Sequence, residues 1–239
     1  MPTPASKNRS IQLYLSASQP CPYLDNQQSQ MLTIDPEIMI NQSNYSQLIQ
    51  MGFRRSGDQL YRPHCKACDE CKPIRIELAH FTTSRNQRRI LARNHDIQTK
   101  IAAPDLNEEQ FNLFRHYLAK RHPGGGMENP EFNQSQKFLS SPSLQTHFIE
   151  FRLNNILVAV AVTDILDTAL SAVYTFFDPD YNQRSLGVFA ILWQLDLCRQ
   201  LDKNWLYLGY WIKNCAKMRY KQNYRPFQLL TQSGWHTQK

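Results

Sequence analysis

Three closely spaced cysteines in this chain could bind a metal ion. Cys65, Cys68 and Cys71 follow a C-x2-C-x2-C spacing, which allows their thiolates to converge. A tetrahedral zinc ion requires one more ligand, and an iron-sulfur cluster requires the same four sulfurs, so Cys21 is the natural fourth residue. Reduced thiols with a purely structural role are the alternative, because only one contiguous cysteine cluster is present and paired C-x2-C knuckles are the strong zinc signal.

Two groups of basic residues have the four-residue spacing that places side chains on one face of a helix. The arginine stripe is Arg85, Arg88, Arg89 and Arg93, and the lysine stripe is Lys213, Lys217 and Lys221. Like charges stacked at this spacing reduce helix stability, so an anionic partner explains both stripes better than folding does. Aromatic residues lie beside the stripes, which favours a nucleic-acid contact, because single-stranded or helical RNA ends are bound by this mixture of charge and stacking. A solvated helix face is the alternative for either stripe alone.

A strand, a loop and a helix are predicted in succession by the sequence VYTFFDPDYNQRSLGVF. If the helix begins near Ser185, its first backbone amides are free to bind a phosphate or a developing oxyanion. Ser185 and Gly187 allow a ligand to approach the backbone closely. Arg184 and Gly187 resemble the R-x-x-G-x-G/A loop with which Gcn5-related N-acetyltransferases hold the pyrophosphate of coenzyme A. Phe189 replaces the second small residue of that loop, and we expect its ring to crowd a pyrophosphate.

The elements that would position these residues can be predicted from periodicity. Helical patterns cover residues 44–51 and 85–94, where Asn44 and Ser84 can act as N-caps. Alternating apolar residues between the two helices predict a strand at residues 74–78. The cysteines therefore lie just before a strand, and the arginine stripe lies on the helix that follows it.

A further helix is predicted from Asp105, which forms a possible capping box with Glu108, to about His122. The glycine-rich residues 123–127 either end this helix or form a mobile lid over a site. We place a domain boundary near Pro104, because Pro104 and Asp105 begin this next unit. The two predicted regions are an N-terminal cysteine-containing region, residues 1–103, and a C-terminal catalytic domain, residues 104–239.

The second half of the chain alternates strand and helix patterns. Asn154 and Asn155 suit a two-residue hairpin turn with positive φ. Strands are predicted at residues 169–177 and 205–212, and helices at residues 186–201 and 214–224. Strands with helices packed on a sheet predict an α/β or α+β fold.

Composition predicts a folded protein with an acidic partner. The 239 residues suffice for one large domain or two smaller ones, 41% of them are apolar, and the net charge is +7. The longest apolar run, residues 156–162, is too short to cross a bilayer, and the N-terminus lacks the apolar core of a signal peptide. We therefore expect a cytoplasmic protein with no membrane or DNA partner, in which cysteines are thiols or metal ligands.

Several longer motifs together resemble the aminoacyl-tRNA-protein transferases, most closely the short bacterial aspartate/glutamate leucyltransferases. The resemblance runs in order from about Cys21 to Pro226. The motifs that carry it are CPYL, YSQLIQMGFRRSG, YRPHCKACDECKPIRI, SRNQRR, VYTFFDPDYNQRSLGVF, LYLGYWIKNCAKMRYK and NYRP. Because these motifs are long and composite, they are more specific than any single cysteine or glycine.

The resemblance implies transfer of leucine from leucyl-tRNA to proteins that begin with Asp or Glu, which marks them for degradation. It implies an acetyltransferase-like (GNAT) mixed sheet with helices, plus a smaller N-terminal cysteine-bearing region. The chemistry itself would require no cofactor. The alternatives are an arginyl-tRNA-protein transferase, a coenzyme A-dependent N-acyltransferase, and a metal-stapled RNA-binding module.

The resemblance also bears on a metal. In relatives that bind zinc or an iron-sulfur cluster, the ligands come from an N-terminal cysteine and a later cysteine group, and Cys21, Cys65, Cys68 and Cys71 match those places. Leu24 occupies the position of a further cysteine found in the eukaryotic relatives. A structural or regulatory metal is therefore an expectation that the sequence alone does not decide.

The expected reaction assigns roles to residues in the strand, loop and helix. Tyr174 is expected to supply a hydroxyl donor, and Ser185 and Gly187 to supply helix-start amides for the tetrahedral oxygen. Asp178 is expected to accept a proton or to anchor the attacking ammonium group, although a turn role before Pro179 is the simpler explanation.

Selection of an acidic first residue requires a guanidinium group that can bind its carboxylate. Three arginines in the resembling motifs are candidates for this role: Arg54, Arg55 and Arg75. The sequence does not choose among them, and it does not locate an apolar pocket for leucine.

Overall fold

Fourteen strands and five α-helices form residues 11–124 and 129–238, the part of the chain that this computed structural model describes. The strands are β1 (Leu13–Leu15), β2 (Gln19–Pro20), β3 (Gln28–Ser29), β4 (Met31–Ile34), β5 (Arg54–Ser56), β6 (Gln59–Pro63), β7 (Lys72–Glu77), β8 (Gln98–Ala102), β9 (Thr146–Leu153), β10 (Ile156–Ile165), β11 (Ala169–Phe177), β12 (Trp205–Trp211), β13 (Phe227–Thr231) and β14 (Gly234–Gln238). The helices are α1 (Gln42–Leu48), α2 (Arg85–Arg93), α3 (Glu108–Arg121), α4 (Phe132–Leu139) and α5 (Leu186–Gln200). Short 3-10 helices cover Ile49–Met51, Pro179–Arg184 and Arg219–Asn223.

A mixed sheet of eight strands forms the centre of the fold, in the order β14-β13-β7-β12-β11-β10-β9-β8. Strands β11 and β12 are parallel and are connected through α5, whereas the other neighbours are antiparallel. The predicted mixed α/β class is confirmed. A smaller sheet, β1-β4-β6-β5, and the pair β2-β3 carry the N-terminal region. No helix in the described ranges is long and apolar enough to span a bilayer.

Helices cover both faces of the large sheet. Helix α5 packs on one face, where Leu195 and Cys198 are buried against Ile76 and Leu206. Helices α3 and α4 pack on the other face around Phe114. Full burial of a side chain of this size stabilises the fold by roughly 1.5–3 kcal/mol, so these two layers fix the sheet that positions the site.

The N-terminal region contributes directly to the large sheet. Strand β7 lies between β12 and β13, and β8 forms one edge. The division into residues 1–103 and 104–239 therefore stays a prediction, and both predicted regions supply strands to the same sheet. Of the glycine-rich stretch, residues 125–127 lie outside the described residues, so its role as a lid also stays a prediction.

Several local predictions are confirmed. The hairpin between β9 and β10 turns at Asn154 and Asn155, whose φ angles are 49° and 68°. Strand β11 has the predicted bounds, and α5 begins immediately after Ser185. Ser84 caps α2 in a reciprocal capping box with Gln87, so the arginine stripe lies on a helix as expected.

Two predicted helix starts are wrong by a few residues. The N-cap of α1 is Asn41, whose side chain accepts a hydrogen bond from the amide of Asn44. The N-cap of α3 is Asn107, which forms its capping box with Gln110 instead of Asp105 with Glu108. Polar residues cluster at both helix starts, and tertiary packing selects the residue at which the backbone turns.

The helix predicted at residues 214–224 is wrong. The segment forms turns followed by the 3-10 helix Arg219–Asn223, so the lysine stripe does not share one helix face. Its side chains point inward at positions that a surface helix would expose: Cys215 and Tyr224 are buried, and Lys221 donates a hydrogen bond to the carbonyl of Tyr210. Tertiary contacts of this kind outweigh a helix preference of a few tenths of a kcal/mol per residue.

Candidate functional site

A cleft opens where the two parallel strands of the large sheet separate. Strands β11 and β12 pair only from Ala169 with Trp205 to Ser171 with Tyr207. Beyond this point each strand is irregular: the register of β11 with β10 shifts at Val173, and that of β12 with β7 shifts between Tyr207 and Tyr210. Bulges bend strands, and ligands in α/β folds bind at the carboxyl ends of separating parallel strands. The splayed ends therefore mark a candidate site.

Arg54 reaches into this cleft from β5. Its Nη2 donates a 2.9 Å hydrogen bond to the carbonyl of Ala172 in β11. On the β12 side, a Cβ added to Gly209 would lie 3.5 Å from the same nitrogen. Arg54 is only 7% exposed, and its Nη1 has no hydrogen-bond partner in the described part of the protein. A buried guanidinium thus lies between the two strands with a free donor.

Lys221 is a second cation close to Arg54. Its Nζ donates a 2.6 Å hydrogen bond to the carbonyl of Tyr210. Burial of the ammonium group and, after it, the positive charge of Arg54 lower the pKa of Lys221 to about 7, against a smaller opposing effect of the Cys215 thiol. Within residues 11–124 and 129–238, neither Lys221 nor Arg54 forms an ion pair with a carboxylate.

Arg55 is fully engaged in a buried structural ion pair. Its Nε lies 2.7 Å from Oδ2 of Asp164, and both side chains are 0% exposed. Further donors of Arg55 bind the carbonyl of Leu139 and the hydroxyl of Thr146. The pKa of Arg55 is raised because the hydrogen bonds and charge of Asp164 outweigh burial, which opposes them. Its donors are therefore committed to the protein itself.

Arg75 is also held by its own surroundings. Its guanidinium carbon lies 3.6 Å from the ring centre of Trp205 and 4.1 Å from that of Trp235. Its nitrogens donate to Gln228 and to the hydroxyl of Tyr207. Of the three arginines predicted to bind a substrate carboxylate, Arg54 is the one that combines a free donor with a position in the cleft.

Tyr174 lies on the diverging half of β11. Its ring packs against Phe114, Tyr117 and Phe138. Burial raises the pKa of Tyr174, with smaller contributions from Tyr117 and Tyr23. The phenol therefore stays protonated at neutral pH and can act as a hydrogen-bond donor, as the sequence predicts. The influence of Tyr23 places the CPYL segment next to this strand.

Asp178 follows β11 directly and caps the 3-10 helix Pro179–Arg184, accepting a hydrogen bond from the amide of Asp180. Nε2 of His116 lies 3.5 Å from Asp178 and 3.6 Å from Asp180. These three side chains place one ligand atom each within 4.8 Å of one another, as a metal site would require. His116 was not predicted as a site residue, because its contact with the loop after β11 arises from the packing of α3 and produces no recognisable spacing in the sequence.

Ser185 and Gly187 form the start of α5 as predicted. Ser185 has a left-handed φ of 54°, and its side chain makes no capping hydrogen bond. A Cβ on Gly187 would lie 3.1 Å from the ring of Phe177, so the missing side chain accommodates that ring.

The expected crowding of this loop by Phe189 is wrong. Phe189 is buried and packs against Phe151 in the core, because the fourth residue of α5 faces the sheet and not the loop. Arg184 is engaged as well, since it forms an ion pair with Asp96 at 2.7 Å.

Four cysteines line one small cavity with Tyr61 and Tyr210. The four are Cys21, Cys65, Cys68 and Cys71. Burial and, after it, the charges of the other three cysteines raise the pKa of Cys71 to about 12. Convergence of four thiols fits the donor set of zinc or an iron-sulfur cluster, either of which would stabilise the thiolates. Among the described residues these sulfurs form no trio within 4.8 Å, so a single zinc ion would require them to move closer.

The two predicted stripes differ in exposure. Arg85, Arg88, Arg89 and Arg93 are all exposed on α2, and none forms an ion pair with a described residue. Lys213 and Lys217 are exposed in the turns after β12, and Lys217 lies close enough to His122 to lower its pKa, after burial as the main cause. Lys221 instead lies inside the cleft.

Comparison with known proteins gives a consistent result. The chain matches the family described as arginine-tRNA-protein transferase, N terminus, over residues 19–89 and its C terminus over residues 109–231. It is 47% identical to an aspartate/glutamate leucyltransferase of Pseudomonas aeruginosa (strain LESB58) over 94% of this chain and 96% of that protein. It is 48% identical to one of Pseudomonas putida (strain GB-1) over 95% and 97%. Among solved structures, FemX covers 81% of this chain and 68% of its own with a TM-score of 0.51 at 8% identity.

Proposed function

We propose, from the premise that this chain belongs to the arginine-tRNA-protein transferase family, that it transfers leucine from leucyl-tRNA to the N-terminal Asp or Glu of acceptor proteins. The product carries a new N-terminal leucine that serves as a degradation signal. Leucine is favoured over arginine by the names of the relatives that match the chain over nearly their full length. The observation that carries the acceptor class is the buried Arg54 in the cleft, which forms no ion pair with a carboxylate of the described residues and has an unpartnered Nη1.

The reaction joins an activated ester to an amine. The α-amine of the acceptor attacks the ester carbon, a peptide bond forms, and the ribose oxygen of the tRNA leaves with a proton. An α-amine with a pKa near 8 is about one-tenth neutral at pH 7, so a strong base is unnecessary. Holding the two groups in line supplies much of the acceleration. The protein therefore needs mainly to position both substrates.

Residues at the carboxyl end of β11 suit this task. Tyr174, which stays protonated, donates to the developing oxyanion, and the first amides of α5 after Ser185 lie at the same end of the sheet. Asp178, at the end of β11, accepts the proton that the attacking amine releases, relayed by solvent, with His116 at 3.5 Å to receive or share it. Gly187 contributes by allowing the ring of Phe177 to close the base of the loop.

We further propose that the large sheet is an acetyltransferase-like sheet. Support comes from the splayed parallel pair β11 and β12, the crossover through α5 and the loop that precedes it. The likeness to FemX bears on the fold alone. Residues 1–103 and 104–239 remain our proposed division, with the cysteine-bearing part forming one wall of the cleft.

The four cysteines are proposed to hold a structural or regulatory zinc ion or iron-sulfur cluster, although transfer itself requires no cofactor. When bound, such a group would neutralise the thiolates and fix the segment that carries Tyr23. Tyr61 and Tyr210 line the cysteine cavity and adjoin Arg54, so the fixed segment would support the cleft. Metal analysis after anaerobic purification tests this proposal; protein with free thiols and no bound metal or cluster, yet full thermal stability, would contradict it.

The arginine stripe is proposed to bind the phosphates of leucyl-tRNA. We expect the double substitution Arg85→Gln with Arg89→Gln to weaken leucyl-tRNA binding by roughly 10-fold at low salt. The slope of log affinity against log salt should become shallower by about 1.5, because two phosphate contacts are lost. Filter binding across a salt series measures both quantities.

The matched control for this prediction is Lys100→Gln, which removes one exposed charge from the edge strand β8. It is expected to leave affinity and salt slope unchanged. If the double variant binds leucyl-tRNA as tightly as wild type, α2 is not the tRNA surface. Lys213 and Lys217 then become the remaining exposed candidates.

One assay tests the proposed function against its alternatives. Purified protein is incubated with leucyl-tRNA, arginyl-tRNA or acetyl-coenzyme A, together with peptides that begin with Asp, Glu or Ala, and products are identified by mass. Leucine on the Asp and Glu peptides alone supports the proposal. Arginine would change the donor, an acetyl group would indicate a coenzyme A-dependent acyltransferase, and tRNA binding without product would indicate an RNA-binding module. Reduced thiols and a tRNA donor both fit a cytoplasmic setting.

A further inference from the structure

Two adjacent arginines on β5 differ sharply in how their charge is compensated. Arg55 is paired with Asp164, and both side chains are fully buried. Arg54, its neighbour, is 7% exposed; its Nη2 donates to the carbonyl of Ala172, and its Nη1 has no hydrogen-bond partner in the described chain. Burial of a guanidinium without a counter-charge is costly. An anion is therefore the missing component of this site.

Lys221 strengthens this conclusion from a different part of the chain. It comes from the segment after β12, and its Nζ donates to the carbonyl of Tyr210. Tyr210 follows Gly209, where an added Cβ would lie 3.5 Å from Nη2 of Arg54, so the two basic groups lie at adjacent residues of β12. With a pKa of about 7, Lys221 is about half protonated at neutral pH, and a bound carboxylate would favour its ammonium form while offsetting the charge of Arg54.

We infer that Arg54 and Lys221 together bind the side-chain carboxylate of the acceptor's N-terminal Asp or Glu. The inference rests on the proposed function and identifies the residues that set its acceptor specificity. The free Nη1 of Arg54 and the ammonium group of Lys221 would each donate to the carboxylate. The acceptor's α-amine would then lie toward Tyr174, two residues beyond Ala172 on the diverging half of β11.

The depth of the site favours a carboxylate over an RNA phosphate. Arg54 is buried between two strands, whereas the arginine stripe on α2 is exposed. A side chain of one or two methylenes can reach a buried donor, but an RNA backbone would have to enter the sheet to do so. Charge-assisted hydrogen bonds to a carboxylate are also the strongest available to these two groups.

Lys221→Met tests the inference most directly, because it removes the ammonium group while nearly keeping the volume of the side chain. We expect kcat/KM for Asp peptides to fall roughly 10- to 100-fold relative to Asn peptides, through KM for the peptide. KM for leucyl-tRNA should stay unchanged. Lys221→Arg, which keeps the charge, is expected to retain part of the preference for Asp over Asn. Lys100→Met, an exposed lysine on β8, is the matched control.

Arg54→Gln provides a second test with a larger expected loss of the same preference. Because this variant could unfold, its circular dichroism spectrum is compared with that of wild type, and Lys221→Met decides the question if Arg54→Gln does not fold. An unchanged ratio of Asp to Asn transfer in folded Lys221→Met would overturn the inference. A raised KM for leucyl-tRNA with an unchanged peptide ratio would overturn it too, because the cations would then bind RNA.

Failure of the proposed function gives a different result. If the wild-type protein transfers no amino acid from any tRNA, the proposed reaction is wrong, and equilibrium binding of the same peptides still tests the site. Tighter binding of Asp than Asn peptides that Lys221→Met abolishes would support the carboxylate site. Equal binding of both peptides to wild type would overturn it.

Discussion

Arg55→Met is expected to lower the free energy of unfolding by about 3–5 kcal/mol, because it leaves a buried carboxylate without its partner. Both side chains of the Arg55 and Asp164 pair are fully buried, and two hydrogen bonds of 2.7 and 2.8 Å connect them. Arg55 also binds the hydroxyl of Thr146 and the carbonyl of Leu139, which would lose their donor. Urea unfolding followed by tryptophan fluorescence measures the change.

Two further variants separate the loss of the buried ion pair from the loss of an ion pair in general. The double variant Arg55→Met with Asp164→Leu removes both charges, and we expect it to recover much of the lost stability. Arg184→Met breaks the partly exposed ion pair with Asp96, where a loss below about 1 kcal/mol is expected. A loss of that small size for Arg55→Met would mean that the buried pair contributes nothing to holding β5 against the large sheet.

Local signals in the sequence predicted much of the secondary structure. The paired asparagines of the β9 and β10 hairpin, the bounds of β11 and the cap of α2 each depend on a few adjacent residues. Such features follow from backbone preference and capping, which act within one turn or strand. Their positions could therefore be read from the chain alone.

The cleft could not be predicted in this way. Arg54 and Lys221 lie in the same cleft only because β5 packs on the sheet near the point at which β11 and β12 diverge. The regular spacing of the lysine stripe suggested a surface helix, and packing instead directed Lys221 inward. Alternation along β5 explains why Arg54 and Arg55 point to different surroundings, but only the fold decides which of them has a carboxylate nearby.

Asp178→Asn is expected to reduce kcat/KM for leucyl transfer by roughly 100-fold, in the range for loss of a positioned proton acceptor. The substitution isolates the charge, because an asparagine side-chain oxygen can still accept the hydrogen bond from the amide of Asp180 and keep the cap of the 3-10 helix. The fold should therefore be preserved, and the loss should fall on kcat. Steady-state kinetics with leucyl-tRNA and an Asp peptide measure it.

Asp180→Asn distinguishes catalysis by Asp178 from a general effect of negative charge beside His116. The side chain of Asp180 is 74% exposed, whereas that of Asp178 is 22% exposed, and both lie at similar distances from Nε2 of His116. If Asp178 accepts the proton of the attacking amine, its substitution should reduce kcat/KM far more than that of Asp180, since the more buried carboxylate lies at the end of the strand that forms the cleft. Equal, small losses in both variants would leave positioning of the two substrates as the whole of the catalysis, with Asp178 reduced to a turn residue before Pro179.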